Sequence, residues 1–396
     1  MPKNNLINLK AIEDFINTHE LDQIQFLIDL CNHNSHTHNK QGVDAAADLI
    51  LRQLDGIFPF HDVKKEKELG NHHFFKTSPG ERDKAVYLIG HMDTVFPADH
   101  PFQSCSLEGD RLTGPGTADM KGGIAVFVYA LKALAESGIL DKLNLTLLLN
   151  SDEEIGSEFS SKIFIAERDK AAVCLCGECA GPQGEIVVSR NGKMGARLDC
   201  RGQDRHVSEI TGKKASAILE LSHKVIALES LNGFRPGLRV NVGRIEGGLG
   251  PGTVPAHAGC LIDLRWREET YIQAVMDKIQ SEIIRPVQPG CRCEFKILNS
   301  RPAMPENKEN IGLFQILLKA AAGLSRSVNS CHRQGTSDVN FFGAAGVPSL
   351  DGFGPVGFND HTPQEYILIP SLKERTLLLS HFLVELGYHL GKFRLG

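Results

Sequence analysis

Ala85-Val-Tyr-Leu-Ile-Gly90-His91-Met-Asp93-Thr-Val95 is the stretch that decides how this chain reads. Its first six residues form an unbroken apolar run, the pattern of a strand buried on both faces of a parallel sheet. His91 and Asp93 follow at once, two residues apart in an extended segment, so their side chains share one face. Working outward, residues 122–137 read as an apolar helix stopped by Gly138, residues 143–149 as a second strand and 171–176 as a third. Strands separated by helices call for a mostly parallel sheet covered on both faces. The fold class is therefore α/β, a mostly parallel central sheet flanked by helices.

A different rhythm occupies the middle of the chain. Residues 196–200 alternate, 215–231 and 270–284 carry helical spacing, and 239–245, 258–265 and 293–298 read as strands. Strand-helix-strand-strand-helix-strand is the order of a ferredoxin-like α+β domain. The chain then resumes its earlier alternation, so this domain reads as an insertion. The expected organisation is a first part of the α/β domain at 1–193, the insertion at 194–300 and a second part of the α/β domain at 301–396. Before residue 30, spaced apolar residues such as Ile12, Phe15, Ile16, Ile24 and Leu27 predict amphipathic helices, not a secretory segment.

Composition removes several functions. With 43 Lys plus Arg against 48 Asp plus Glu, the net charge is −5, and no long basic run favours a nucleic acid or an anionic membrane. The apolar run at 124–131 is far shorter than the ~20 residues that span a bilayer. Ten cysteines at irregular spacing in 396 residues need no disulfides, which fits a cytoplasmic protein. Cys174 and Cys176 alternate with Val173 and Leu175 and read as small apolar residues of a buried strand. Of the 16 histidines, those of His33-Asn-Ser-His36-Thr-His38 read as an exposed loop, and His72 and His73 as surface residues. Gly114-Pro-Gly116 and Gly247-Gly-Leu-Gly250 lack the Lys-Ser/Thr of a phosphate loop.

Chemistry collects just past the strand ends. A loop delivers Asp119 ahead of Met-Lys-Gly-Gly123; Asp152-Glu153-Glu154 follows the second strand and Glu178 the third; His361 comes late, in Asn359-Asp-His-Thr-Pro363. Open α/β sheets bind ligands at the carboxyl ends of their strands, where such residues converge. Adjacent carboxylates are unfavourable without a cation or protons. Two imidazoles with several carboxylates and no thiolate suit zinc, or else cobalt or manganese. A pair of such metals, about 3.5–4 Å apart, needs a shared anionic ligand, which one Asp and a bridging hydroxide would supply.

In that order and spacing, the motifs resemble the dinuclear zinc peptidases and amidohydrolases, a family that includes glutamate carboxypeptidase, acetylornithine deacetylase, succinyl-diaminopimelate desuccinylase and aminoacylase. The resemblance runs from the amino-terminal helices through His361-Thr-Pro-Gln-Glu-Tyr366. It implies that Asp119 bridges two zinc ions, that His91 and Glu178 hold one and Glu154 and His361 the other. Glu153 would be the general acid/base and Asp93 would orient His91. His206 matches a family histidine that reaches across a homodimer, formed through the inserted domain, to stabilise the oxyanion. Arg265, in Asp263-Leu-Arg265, and Arg301, in Ser-Arg-Pro-Ala303, would bind a substrate carboxylate. Ser337 and Asp338, in Gly335-Thr-Ser-Asp338, would line the pocket.

The implied reaction is hydrolysis of an amide bond in a small peptide or N-acyl amino acid, most like a glutamate carboxypeptidase. The spacing from Glu154 to Glu178 also looks like that branch, and Arg301 favours it over the alternative, an N-acyl amino acid deacylase. A noncatalytic metal-binding paralogue is the remaining reading, and an intact Glu153 counts against it. Three departures bear on the substrate: Gly252 stands where the family has Asn, Cys179 replaces a Pro after Glu178, and Val207-Ser208 replace smaller residues after His206.

Overall fold

The computed structural model of the chain describes residues 9–78 and 84–391. They form two compact units: one takes in the chain up to Ser189, Glu306–Arg333 and the part from Ser337 onward, and the other is Arg190–Pro305 with Gln334–Thr336.

The first unit is built on a six-stranded sheet. Its order is Phe60–Lys64, His72–Lys76, Leu145–Asn150, Ala85–His91, Ala171–Cys176 and Ser349–Leu350. The first two pairings are antiparallel and the other three parallel. Every residue of Ala85–His91 and of Leu145–Asn150 is buried, which is why both runs are apolar without alternation. Their register sets His91 opposite Asn150, so the residues that follow each strand leave the sheet at the same end.

Helix Gly122–Glu136 is buried on all sides from Ile124 to Leu131, as a helix without a polar face must be. Helix Ile369–His389 packs against it. Gln23, buried in helix Glu20–Cys31, fastens both by donating to the Ala125 carbonyl (3.2 Å) and the Thr376 hydroxyl (2.7 Å).

The start of the central helix abuts the strand end that carries Glu178. A Cβ on Gly123 would lie 1.6 Å from the carbonyl oxygen of Gly177, a backbone atom that cannot swing aside. Gly123→Ala is therefore expected to cost about 3 kcal/mol or more in urea unfolding, by forcing two backbones apart. Gly312, within helix Lys308–Gly323, has open space around its Cβ position. Gly312→Ala should instead stabilise by roughly 0.5–1 kcal/mol.

His72 and His73 are corrections to the sequence reading: they are buried, 0% and 5% exposed, in a strand whose first four residues are covered on both faces of the sheet. The edge strand Phe60–Lys64 is exposed throughout and brings His61 to 3.1 Å from His73, ring nitrogen to ring nitrogen. Burial, with the charge of His61 beside it, pushes His73 down to about 4, so its ring is neutral.

The second unit has a four-stranded antiparallel sheet in the order Arg239–Gly247, His257–Trp266, Gly192–Arg201, Arg292–Arg301. With helices Ala217–Glu229 and Ile272–Lys278, this gives the ferredoxin-like element order. Along Gly192–Arg201 every second residue is buried, and Leu198, Cys260, Leu264, Trp266, Leu221 and Val275 form part of the core. The expected second helix ends early at Lys278 and continues as a wider turn, Ile279–Ile283.

Candidate metal centre

Three parallel strand ends and two loops of the first unit converge on Asp119. One of its carboxylate oxygens lies 2.9 Å from His91 Nε2 and the other 3.0 Å from His361 Nε2. Glu154 sits 3.1 Å from the same His361 nitrogen, and Glu178 sits 3.7 Å from the His91 nitrogen. The five residues thus form two triads that share one carboxylate. Ligand atoms of His91, Asp119 and Glu154 all lie within 4.8 Å of one another. A donor set of imidazole and carboxylate, with each imidazole nitrogen aimed at the shared aspartate, fits a pair of divalent cations.

Electrostatics say the same thing. Burial and the Asp119 charge push Glu154 up to about 8 and hold Glu178 well above the usual carboxylate range. Bonds to Asp119 and Glu154 lift His361 to about 11. Burial opposes charge on His91, but Asp119 and Asp93 outweigh it and raise that imidazole too. Burial would raise Asp119, yet its bonds to His361 and His91 bring it below the ordinary range. Without a cation, this cluster keeps its acids together only by holding protons.

Asp93 does more than address one ring. His91 Nδ1 lies 3.0 Å from the backbone carbonyl of Asp93 and 3.4 Å from its carboxylate. That carboxylate also accepts from the backbone N–H groups of Glu153 and Glu154, each at 3.2 Å, and from the Thr37 hydroxyl at 2.7 Å. Fully buried, it locks the strand-end histidine to the turn Glu153–Ile155. The sequence reading of residues 33–38 as an exposed loop is corrected here: His33 and His38 are exposed, but Ser35 and Thr37 are buried, and Thr37 braces Asp93.

The three consecutive acids divide their work. Asp152 accepts from the N–H groups of Phe159 (2.7 Å) and Ser160 (3.1 Å), at the start of helix Ser160–Glu167. Glu154 joins the cluster, and Glu153 stands half-buried at the start of its turn. His361 adopts a left-handed backbone, φ 60°, in a loop between the short strands Gly357–Phe358 and Tyr366–Leu368. Such a conformation is uncommon outside glycine and persists where the surrounding structure imposes it.

Ser337 and Asp338 are buried, and each has partners inside the unit. The Ser337 hydroxyl donates to Asp351 (2.8 Å). Asp338 accepts from Asn150 (2.7 Å) and from the Ser157 hydroxyl, so it braces both ends of the segment that carries Glu153 and Glu154. Cys174 and Cys176 are buried in their strand, as expected, and the Cys179 sulfur accepts from Arg333 (3.4 Å).

Three expected site residues belong to the second unit. Arg265 is paired with Asp263 (2.9 Å) and keeps 38% of its side chain exposed; Arg301 ends its strand and is buried. His206 is exposed, with Nδ1 2.6 Å from the Ser208 hydroxyl and accepting from the Ser208 N–H. An accepting Nδ1 leaves the proton of the neutral ring on Nε2, as a donor needs.

Glu365 is the residue sequence reasoning missed. It is 1% exposed and accepts three backbone N–H groups from the loop that presents Asp119. Residues 361–366 stand out in the sequence only by their likeness to the family, and backbone partners leave no mark in a sequence.

Two triads of candidate metal ligands at the carboxyl end of a mostly parallel sheet have the layout of a metal-dependent hydrolase. Residues 87–385 match the model of Peptidase family M20/M25/M40, and the chain belongs to that family of metallopeptidases and amidohydrolases. It is 26% identical over 377 residues to carboxypeptidase G2 of Pseudomonas sp. (strain RS-16), covering 92% of this chain and 89% of the relative. It is 27% identical over 325 residues to succinyl-diaminopimelate desuccinylase of Gluconobacter oxydans, covering 78% and 83%. Among solved structures, aminopeptidase PepT from Bacillus cereus shares the fold, with a TM-score of 0.76 at 20% identity over 93% of this chain and 99% of that one. Among the described residues, no helix is long and apolar enough to cross a membrane.

Proposed function

We propose that this protein hydrolyses the amide bond of a small substrate bearing a free carboxylate, in the manner of a glutamate carboxypeptidase. The observation that carries the reading is Asp119, with one oxygen on each of two imidazoles and a glutamate completing each triad. His91 and Glu178 would hold one cation, Glu154 and His361 the other, and Asp119 both. Two bound divalent ions, zinc on the chemistry of the donors, would polarise the scissile carbonyl and acidify a water. Glu153 takes the proton of the attacking water and passes it to the departing nitrogen, so that water and amide become a carboxylic acid and an amine. Its carboxylate has no use in a purely structural site.

His206, its proton fixed on Nε2 by Ser208, is the proposed donor to the developing oxyanion. The family resemblance has it supplied by the second subunit of a homodimer, an assembly that sedimentation of the full chain reads directly. A cytoplasmic location is supported by ten cysteines that are all free thiols. Arg301 and Arg265 are the proposed anchors for the substrate carboxylate.

Arg301 separates the two substrate classes. For peptides and acyl compounds ending in glutamate, Arg301→Ala is expected to raise KM by about 10–100-fold with a smaller change in kcat, the worth of one charge-assisted bond. Steady-state kinetics on C-terminal glutamate substrates and on N-acyl amino acids would test it. Hydrolysis insensitive to Arg301 would move the reading to a deacylase.

A further inference from the structure

The role of Glu365 rests on the reading of Asp119 as the shared ligand of two metal ions. We infer that Glu365 is a positioning residue for that ligand. Its carboxylate fills a cradle formed by the loop that carries Asp119. One oxygen accepts from the N–H groups of Ala118 (2.8 Å) and Asp119 (3.0 Å), and the other accepts from Gly116 (3.0 Å). Gly116, with φ +78°, turns the chain so that these donors point to one place. Convergent backbone donors of this kind ordinarily bind an anion from outside; here the chain supplies its own.

The grip extends beyond one side chain. The Glu365 carbonyl accepts from Gly114 (3.1 Å), and the residues after it pair in register with the strand leading into the loop, Tyr366 opposite Thr113 and Ile367 opposite Leu112. Upstream, the Glu365 N–H donates to Thr362 (3.0 Å) and the Thr362 N–H to Asn359 (3.2 Å), which folds the turn that carries His361. Glu365 thus belongs to the His361 segment and holds the backbone of Asp119 directly. It sets the bridging carboxylate against the second imidazole, residues 242 positions apart in sequence yet 3.0 Å apart in space.

A purely structural role would lower stability without touching the metals, so the test reads both. Metal-free wild type and Glu365→Gln would be titrated with Co(II) alone, following heat of binding and the visible absorption of the bound ion. Glutamine keeps the shape of glutamate but sets an amide N–H₂ against the Gly116 N–H. The expected result is cobalt binding weakened about 10–100-fold, the usual consequence of removing an outer partner of a ligand, with an altered absorption band. Leu383→Ala, in the buried C-terminal helix, serves as the control: it should lower Tm and leave cobalt affinity unchanged. Wild-type cobalt affinity and spectrum in Glu365→Gln, with only Tm reduced, would overturn the positioning role and leave the metal assignment standing. Failure of the wild type to bind cobalt would overturn the metal assignment itself, and this role with it. Should Glu365→Gln not fold, Glu365→Asp, which keeps both acceptor oxygens on a shorter stem, is read by the same two signals.

Discussion

Replacing Glu153 by glutamine will leave metal uptake intact and lower kcat by about 10²–10⁴-fold, the span that a positioned general acid/base contributes. The physical reason lies in the division of labour among the acids. Glu154 faces His361 and Glu178 faces His91, whereas Asp152 holds the start of the next helix. Glu153 remains at the cluster, and its backbone N–H is fixed by Asp93. Glutamine retains that backbone bond and the side-chain shape, but it cannot take a proton. Glu154→Gln is the contrasting variant: it removes a member of a triad, so metal content should fall along with activity. Metal analysis and kcat measured on the same preparations distinguish the two. Near-normal turnover by Glu153→Gln would remove the residue from its assigned role.

What the sequence reveals here, and what it hides, follows from where each residue finds its partners. Ala85–His91 and Leu145–Asn150 are legible because burial on two faces demands apolar residues in succession. Helix Gly122–Glu136 is legible for the same reason. The edge strand Phe60–Lys64 is not, since a fully exposed strand imposes no pattern on its side chains. Thr37 looks like a loop residue because its burial comes from a carboxylate 56 residues later in the chain. Glu365 looks solvated because its partners are backbone N–H groups, present at nearly every position of every protein. Residues that would touch a metal carry a type and a spacing that can be read; residues that hold those in place carry neither.

The same cluster dictates how metal binding answers to pH. Uptake by the metal-free protein is expected to release protons and to tighten by about 100-fold per pH unit between pH 6 and 8 at the triad of Asp119, Glu154 and His361. In the metal-free chain, burial holds Glu154 up at about 8 and its carboxylate neighbours hold His361 at about 11. Both therefore carry a proton at neutral pH, and a cation takes the unprotonated forms. Each proton displaced raises log K by one for each pH unit, until the pH passes the pKa of the group that bore it. Two groups contribute below pH 8; above it Glu154 drops out and the slope falls to about tenfold per unit. The stability of the metal-free protein runs the opposite way. These groups have higher pKa values folded than unfolded, so the metal-free protein binds extra protons on folding and loses that contribution as the pH rises through about 4.5–8 for Glu154 and about 6.5–11 for His361. The gap in Tm between metal-loaded and metal-free protein should accordingly widen with pH. Calorimetric zinc titrations at pH 6, 7 and 8, each in two buffers of different ionisation enthalpy, count the protons directly. A flat affinity with no protons released would mean that the acids are ionised before metal arrives, and that something other than protons keeps Glu154 beside Asp119.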